Sequence, residues 1–148
     1  MSQRQAGSET TRARIVADIV ARTGVSEAMI ERLVRAFYAR ARRDPLIGPV
    51  FESKVEDWEA HLARMCAFWS SVTLMSGRYR GQPMALHLPL PIATPHFERW
   101  LAIFAATAEE ECPPAAAALF RDRARHIAES LALGIAASRG EIGPRPAP

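Results

Sequence analysis

Apolar residues in this chain recur every three or four positions, the period of a helix with one buried face. Thr11 to Arg22 is a short amphipathic segment with Ile15, Ile19 and Val20 on one side, ended by Gly24. Ser26 then offers an N-cap, with Glu27 in the first turn where the helix dipole favours an acid. Ile30, Leu33, Val34, Phe37 and Ala41 form the next stripe, and Asp44-Pro45 stops it. Gly48-Pro49 reads as a turn leading into Val50 and Phe51. The pattern resumes from about Val55 to Ser76 with Trp58, His61, Leu62, Met65, Trp69 and Val72, and Gly77 is its stop. Thr94-Pro95 supplies an N-cap and a first-position proline for a helix carrying Phe97, Trp100, Leu101, Phe104 and Ala108, which ends at Cys112-Pro113. A last helix, from about Ala115 to Ser138, buries Phe120, Ala124, Ile127, Leu131 and Ile135 before Gly140.

No segment alternates with period two, so the pattern predicts an all-α fold of four substantial helices and a short leading one. Residues 1–10 and 141–148 read as disordered tails. The stretch GQPMALHLPLPIATPHFERW breaks the pattern. Pro83, Pro89, Pro91 and Pro95 forbid a long helix or strand there, leaving room for one helical turn around Pro83–Leu88. Yet Met84, Leu86, Leu88, Leu90 and Ile92 are too apolar for a solvated loop, so protein or something that is not protein must cover them.

A chain of 148 residues makes one typical domain. Its divisions are expected to be an extension at 1–24, partly disordered, a main domain at 25–140 and a tail at 141–148. Cys66 and Cys112 are too few for a disulfide scaffold and fit no zinc spacing, and free thiols point to the cytoplasm. The start, MSQRQAGSETTRAR, does not read as a signal peptide, and no apolar run is long enough to span a membrane. Residues 1–43 carry nine arginines against four acids, while 44–148 carry ten basic against twelve acidic side chains. A basic first third invites nucleic acid or anionic lipid, but its arginines alternate with alanines and acids and few aromatics lie among them, which favours a solvated helix face. The bias to arginine over lysine, and to alanine, hints at a GC-rich bacterial genome.

Among four histidines, His61 and His87 lie in apolar surroundings. A buried polar group without a partner costs a few kcal/mol, roughly, so each needs an explanation. A backbone hydrogen bond is one. Zinc is poorly supported, because neither has a His, Cys or Asp three or four residues away in a convincing ligand pattern. No GxSxG, GxGxxG or Walker loop is present, and the lack of CxxCH excludes covalent c-type haem. A flat apolar cofactor with a central metal is a further explanation. It needs one axial imidazole, apolar walls and cations for its carboxylates. Tyr38, His61 and Trp100 are polar-tipped donors on three different stripes, suited to stabilising charge on a bound gas.

The stretches RAFYARARRDPLIGPVF, WEAHLARMCAFW, YRGQPMALHLPLP and HFERWLAIF, in that order, resemble the third group of truncated haemoglobins over roughly Ser26 to Arg139. The absence of a Gly-Gly pair fits that group rather than the first two. The resemblance implies a globin-like two-over-two α-helical sandwich, from which this chain departs by an extra short N-terminal helix. It implies non-covalent haem b (iron protoporphyrin IX), with His87 as proximal iron ligand and Tyr38, His61 and Trp100 on the distal side. It also implies Phe51, Met65 and Trp69 as haem-pocket residues, and Arg64 and Tyr79 as partners for the haem propionates, with Arg78 and Arg80 behind them. His61 could gate ligand access or bind iron itself.

The expected ligands are dioxygen, nitric oxide or carbon monoxide. Three donors imply tight holding, which suits nitric oxide dioxygenation or a peroxidase-like role, served by an unidentified reductase, better than oxygen transport. The rival expectations are a cofactor-free helical interaction module using the basic N-terminal third, and a haem-based gas sensor.

Overall fold

The computed structural model describes residues 3–140, so the tail expected at 141–148 lies outside the described residues. Seven helices occur among them: α1 Gln3–Thr23, α2 Glu27–Ala41, α3 Gly48–Lys54, α4 Trp58–Leu74, α5 Pro83–His87, α6 Thr94–Glu111 and α7 Pro114–Ser138. The α2–α4 pair packs on the α6–α7 pair, chiefly through α2 against α6, with α4 reaching α7. This is the expected two-over-two sandwich. The leading helix α1 lies on α7 and α4, and α5 on α7.

The centre of the sandwich is built from the predicted stripes. Ile30, Leu33, Phe104 and Phe120 are almost wholly buried, and each such side chain contributes about 1.5–3 kcal/mol relative to exposure. Ala108, Ala116, Ala117 and Ala124 are buried as well, and their small size lets α6 and α7 approach closely. Two buried threonines need no outside partner. Thr73 donates to the Trp69 carbonyl and Thr107 to the Ile103 carbonyl, both at 2.7 Å.

Several local readings change. α1 begins at Gln3, inside the stretch expected to be a disordered tail. Gln, Arg and Ala are good helix formers, and the Thr11 hydroxyl returns to the Gly7 carbonyl at 2.9 Å. Gly48-Pro49 is the first turn of α3 rather than a turn ahead of it. Proline is tolerated there because its missing N–H has no helical partner to lose. Gly48 itself is required by space: a Cβ would stand 2.7 Å from the Arg42 carbonyl oxygen. α4 starts at Trp58 because Asp57, not the region of Val55, caps it by accepting from the Ala60 amide at 3.2 Å. Thr94 is the first residue of α6 and Ala93 precedes it; His96 Nδ1 accepts the Ala93 amide at 3.0 Å in place of a hydroxyl cap.

Asp44 links this frame to the site. Its carboxylate accepts the Leu46 and Ile47 amides, both at 3.0 Å, and Arg99 Nε at 2.6 Å. Burial alone would raise its pKa. The Ile47 amide, Arg99 and the Leu46 amide outweigh burial and hold the carboxyl below its usual value. The end of α2 is thereby tied to the α6 residue next to Trp100.

Candidate functional site

A cavity of about 700 Å³ opens between the sandwich and α5, well within the size of a small-molecule site. Every residue singled out from the sequence borders it: Tyr38, Phe51, His61, Arg64, Met65, Trp69, Tyr79, His87 and Trp100, together with Arg78 and Arg80. Five helices and the segment between α4 and α5 contribute to that set, with α3 supplying Phe51.

His87 ends α5, the single turn the prolines allow. Its Nδ1 lies 2.6 Å from the Pro83 carbonyl oxygen. A carbonyl can only accept, so Nδ1 carries the proton. In the neutral ring the lone pair is then on Nε2, the tautomer a metal-ligating histidine needs. The backbone bond that could have explained a lone apolar histidine is present, and it leaves Nε2 available.

His61 receives no such bond. Its Nε2 is buried without a hydrogen-bond partner among the described residues. Asp57, on the same face one turn earlier, is occupied in capping α4. The imidazole instead lies among rings: Tyr38 at 5.1 Å and Trp58 at 5.6 Å between centroids, both edge-on. Burial first, and the Arg64 charge second, lower its pKa from the ordinary 6.5. An unfolded chain therefore binds the proton more readily than the folded one below pH 6.5. The apoprotein should lose stability as pH falls from 7 to 5, and His61→Leu should remove that share of the slope. Urea midpoints across the range measure it.

Tyr38 is buried and edge-packed on Phe37 and Phe51, and its hydroxyl makes no hydrogen bond among the described residues. Burial pushes the phenol pKa up, which keeps it a donor. Trp100 is the end of a stack. Its ring lies 5.4 Å from Phe104, and Phe104 lies 4.8 Å from Trp69, with interplanar angles of 15° and 17°. Trp69 thus belongs to the core as much as to the cavity, and through Phe104 it sets the plane of Trp100. Tyr38, His61 and Trp100, on three helices, consequently border one apolar space, with no hydrogen-bond partner for their polar tips among the described residues.

The cations at the rim divide. Arg78 is held by Glu27 at 2.5 Å, and Glu27 also takes the Ser70 hydroxyl at 2.5 Å. Arg64 and Arg80 are exposed and make no ion pair among the described residues. Tyr79 is fixed by its amide on Ser71 Oγ at 2.9 Å and by its ring on Phe68 at 5.2 Å. Lys54, Phe68, Phe97, Ile127 and Leu131 also border the cavity, beyond the set named from the sequence. Ile127 and Leu131 lie on the apolar stripe of α7 and looked like plain core. The lone lysine carried no pattern.

Comparison with known proteins shows the family. The model of the bacterial-like globin family matches residues 21–133, and the chain belongs to that family. A group 3 truncated haemoglobin of Campylobacter jejuni is 35% identical over 85 residues, covering 54% of this chain and 67% of that protein. The crystal structure of a group III truncated haemoglobin from the same species superposes with a TM-score of 0.71 at 29% identity, over 75% of this chain and 91% of that one. A haemoglobin from the thermophilic phototroph Chloroflexus aurantiacus gives 0.63 at 26% identity, over 76% and 95%. The resemblance to the third group of truncated haemoglobins, expected from the motifs, is borne out.

The protein is therefore a haem-binding globin, which takes gaseous ligands such as oxygen. The cavity fits that group. It offers one imidazole with a free Nε2, an orphaned buried nitrogen at His61, aromatic walls and unpaired guanidiniums at the rim. No cluster of three or more His, Cys, Asp or Glu side chains is placed to hold a metal ion among the described residues. None of the described helices is long and apolar enough to cross a membrane.

Proposed function

We propose that this globin holds haem b without a covalent bond, in the cytoplasm, and uses it for redox chemistry on a gaseous ligand rather than for oxygen transport. When bound, the haem supplies the iron at which dioxygen or nitric oxide is held and exchanges electrons. The chain's own residues do the rest. His87 presents Nε2 toward the cavity, and the Pro83 carbonyl, by accepting from Nδ1, fixes the tautomer and the ring orientation. Arg64 and Tyr79 meet the cofactor's carboxylates, with Arg80; Arg78 contributes less because Glu27 already holds it. Phe51, Met65 and Trp69 give the cofactor apolar walls.

Tyr38, His61 and Trp100 donate to the ligand. The unpartnered, buried Nε2 of His61 argues for it: a buried polar atom without a partner is costly, and the ligand relieves that cost. The orphaned Nε2 of His61 is the observation that carries this reading. It is a polar atom kept dry with no partner to bond among the described residues. Such donors are worth more in a dry site than in water, and they favour a ligand that gains negative charge. A pocket that holds dioxygen firmly is poor at delivering it and well suited to keeping it until a second reactant arrives.

Nitric oxide dioxygenation emerges as the favoured activity, with a peroxidase-like role beside it and an external reductase to restore ferrous iron. Ferrous protein equilibrated with dioxygen and mixed with nitric oxide should yield stoichiometric nitrate and ferric protein within the mixing time. Release of free dioxygen without nitrate would overturn the proposal. Residues 25–140 form the globin domain in this reading, and α1 is an addition to it.

A further inference from the structure

The segment that carries His87 has little structure of its own. α5 is five residues long, and Pro89, Pro91 and Pro95 remove backbone donors from the stretch between α5 and α6 and from the first turn of α6. Its internal bonds are local: the Leu88 amide to Met84, the Leu90 amide to His87 and the Ile92 amide to Leu90, at 3.0, 3.0 and 2.9 Å. None of these fixes the segment relative to the cavity.

α7, the helix against which α5 packs, does so at two points. Arg139, just past its end, donates Nη1 to the Ile92 carbonyl at 2.6 Å and Nη2 to the Leu90 carbonyl at 2.5 Å. A guanidinium is a rigid planar fork, so one side chain sets both carbonyls that flank Pro91. Five residues earlier, Gly134 makes room for Met84: a Cβ there would overlap the thioether. Met84 precedes His87 and the two carbonyls come after it, so α7 grips the segment on both sides of the histidine.

We infer that Arg139 and Gly134 are positioning residues for His87, clamping its segment to α7 and so setting the direction from which the imidazole enters the cavity. The inference rests on the reading of His87 as the iron ligand. The bond from Nδ1 to Pro83 orients the ring on α5, and the α7 clamp orients α5 itself. Neither residue announces this in the sequence. An arginine at a helix C-terminus is ordinarily explained by the helix dipole, and a glycine near a helix end by the turn it permits.

The test uses haem-loaded protein with Arg139→Ala, Arg139→Lys and Gly134→Ala. Two quantities are read: the iron–histidine stretching band of the ligand-free ferrous form by resonance Raman, and the rate of haem transfer to excess apomyoglobin. Arg139→Ala should shift or broaden the band and speed haem transfer about tenfold, the lower end of what outer partners of a metal ligand contribute. Arg139→Lys should recover part of both, because one donor can still reach a carbonyl. Gly134→Ala replaces an interior helical glycine with a better helix former. Its apoprotein should melt no lower than wild type, yet its band should shift. An unchanged band and rate in Arg139→Ala and Gly134→Ala would overturn the inference, as would changes that merely track a fall in melting temperature. If His87→Gly keeps a histidine-ligated band, the reading of His87 falls and takes this inference with it. If His87→Gly loses the band while both α7 variants keep it, this inference alone fails.

Discussion

Dioxygen should leave the Tyr38→Phe protein at least ten times faster than wild type, and Trp100→Phe should act in the same direction. The phenol of Tyr38 is buried, has its pKa pushed up and makes no hydrogen bond within the described residues, so it is a neutral donor reserved for something else. A hydrogen bond to a charged partner contributes about 1.5–3 kcal/mol, and about 1.4 kcal/mol is a factor of ten. Phenylalanine keeps the ring contacts with Phe37 and Phe51, at 4.9 and 5.3 Å, and removes the donor alone. Trp100→Phe removes the indole N–H while leaving a ring to stack on Phe104. The two changes should not add, because the donors serve one ligand in one pocket. Stopped-flow oxygen release measures both. Release as fast in wild type as in the variants would remove the case for a ligand-stabilising pocket.

Replacing His87 with glycine should have the larger effect on the cofactor itself. The substitution deletes the one imidazole in the cavity whose Nδ1 is already committed to a carbonyl. It leaves the aromatic walls and the rim guanidiniums in place. Haem transfer to an acceptor should speed by more than the 10–100-fold, roughly, that loss of an outer partner costs. The core should survive, because His87 is only partly buried and lies outside the packed stripes of α2, α6 and α7. Imidazole added at millimolar concentration fits the space vacated and should restore a histidine-like spectrum. Retention of the wild-type spectrum without added imidazole would assign the iron to another residue, His61 first among them.

The helices were legible because each buries one regular stripe. Ile30, Leu33, Val34 and Phe37 lie as their spacing requires, and so do Phe104, Ala108 and Phe120. Boundaries were less legible where a neighbour from another element does the capping. Asp44-Pro45 is the expected stop of α2, which ends three residues earlier at Ala41, and the bond from Asp44 to Arg99 fifty-five residues away could not be seen in the sequence. The same holds for Glu27 and Arg78, which no local pattern connects. The run of prolines correctly marked a single turn at α5. What the run could not reveal is that α7 supplies the order the segment lacks.

The candidate site came from the motifs more than from periodicity. His61, Met65 and Trp69 fall on a helical stripe and would look like core in any helical protein. Their gathering around one cavity with Tyr38, His87 and Trp100 is a property of the fold. Burial does not distinguish them either: Trp69 is 4% exposed and packs like a core residue. The unsatisfied Nε2 of His61 does distinguish it, and that becomes visible only with three-dimensional neighbours in place.

Resonance Raman of the ligand-free ferrous protein, wild type beside His87→Gly, is the most direct test. A red protein whose iron–histidine stretching band is present in wild type and absent from His87→Gly is the predicted result. A colourless protein, or a histidine-ligated band that persists without His87, would contradict it.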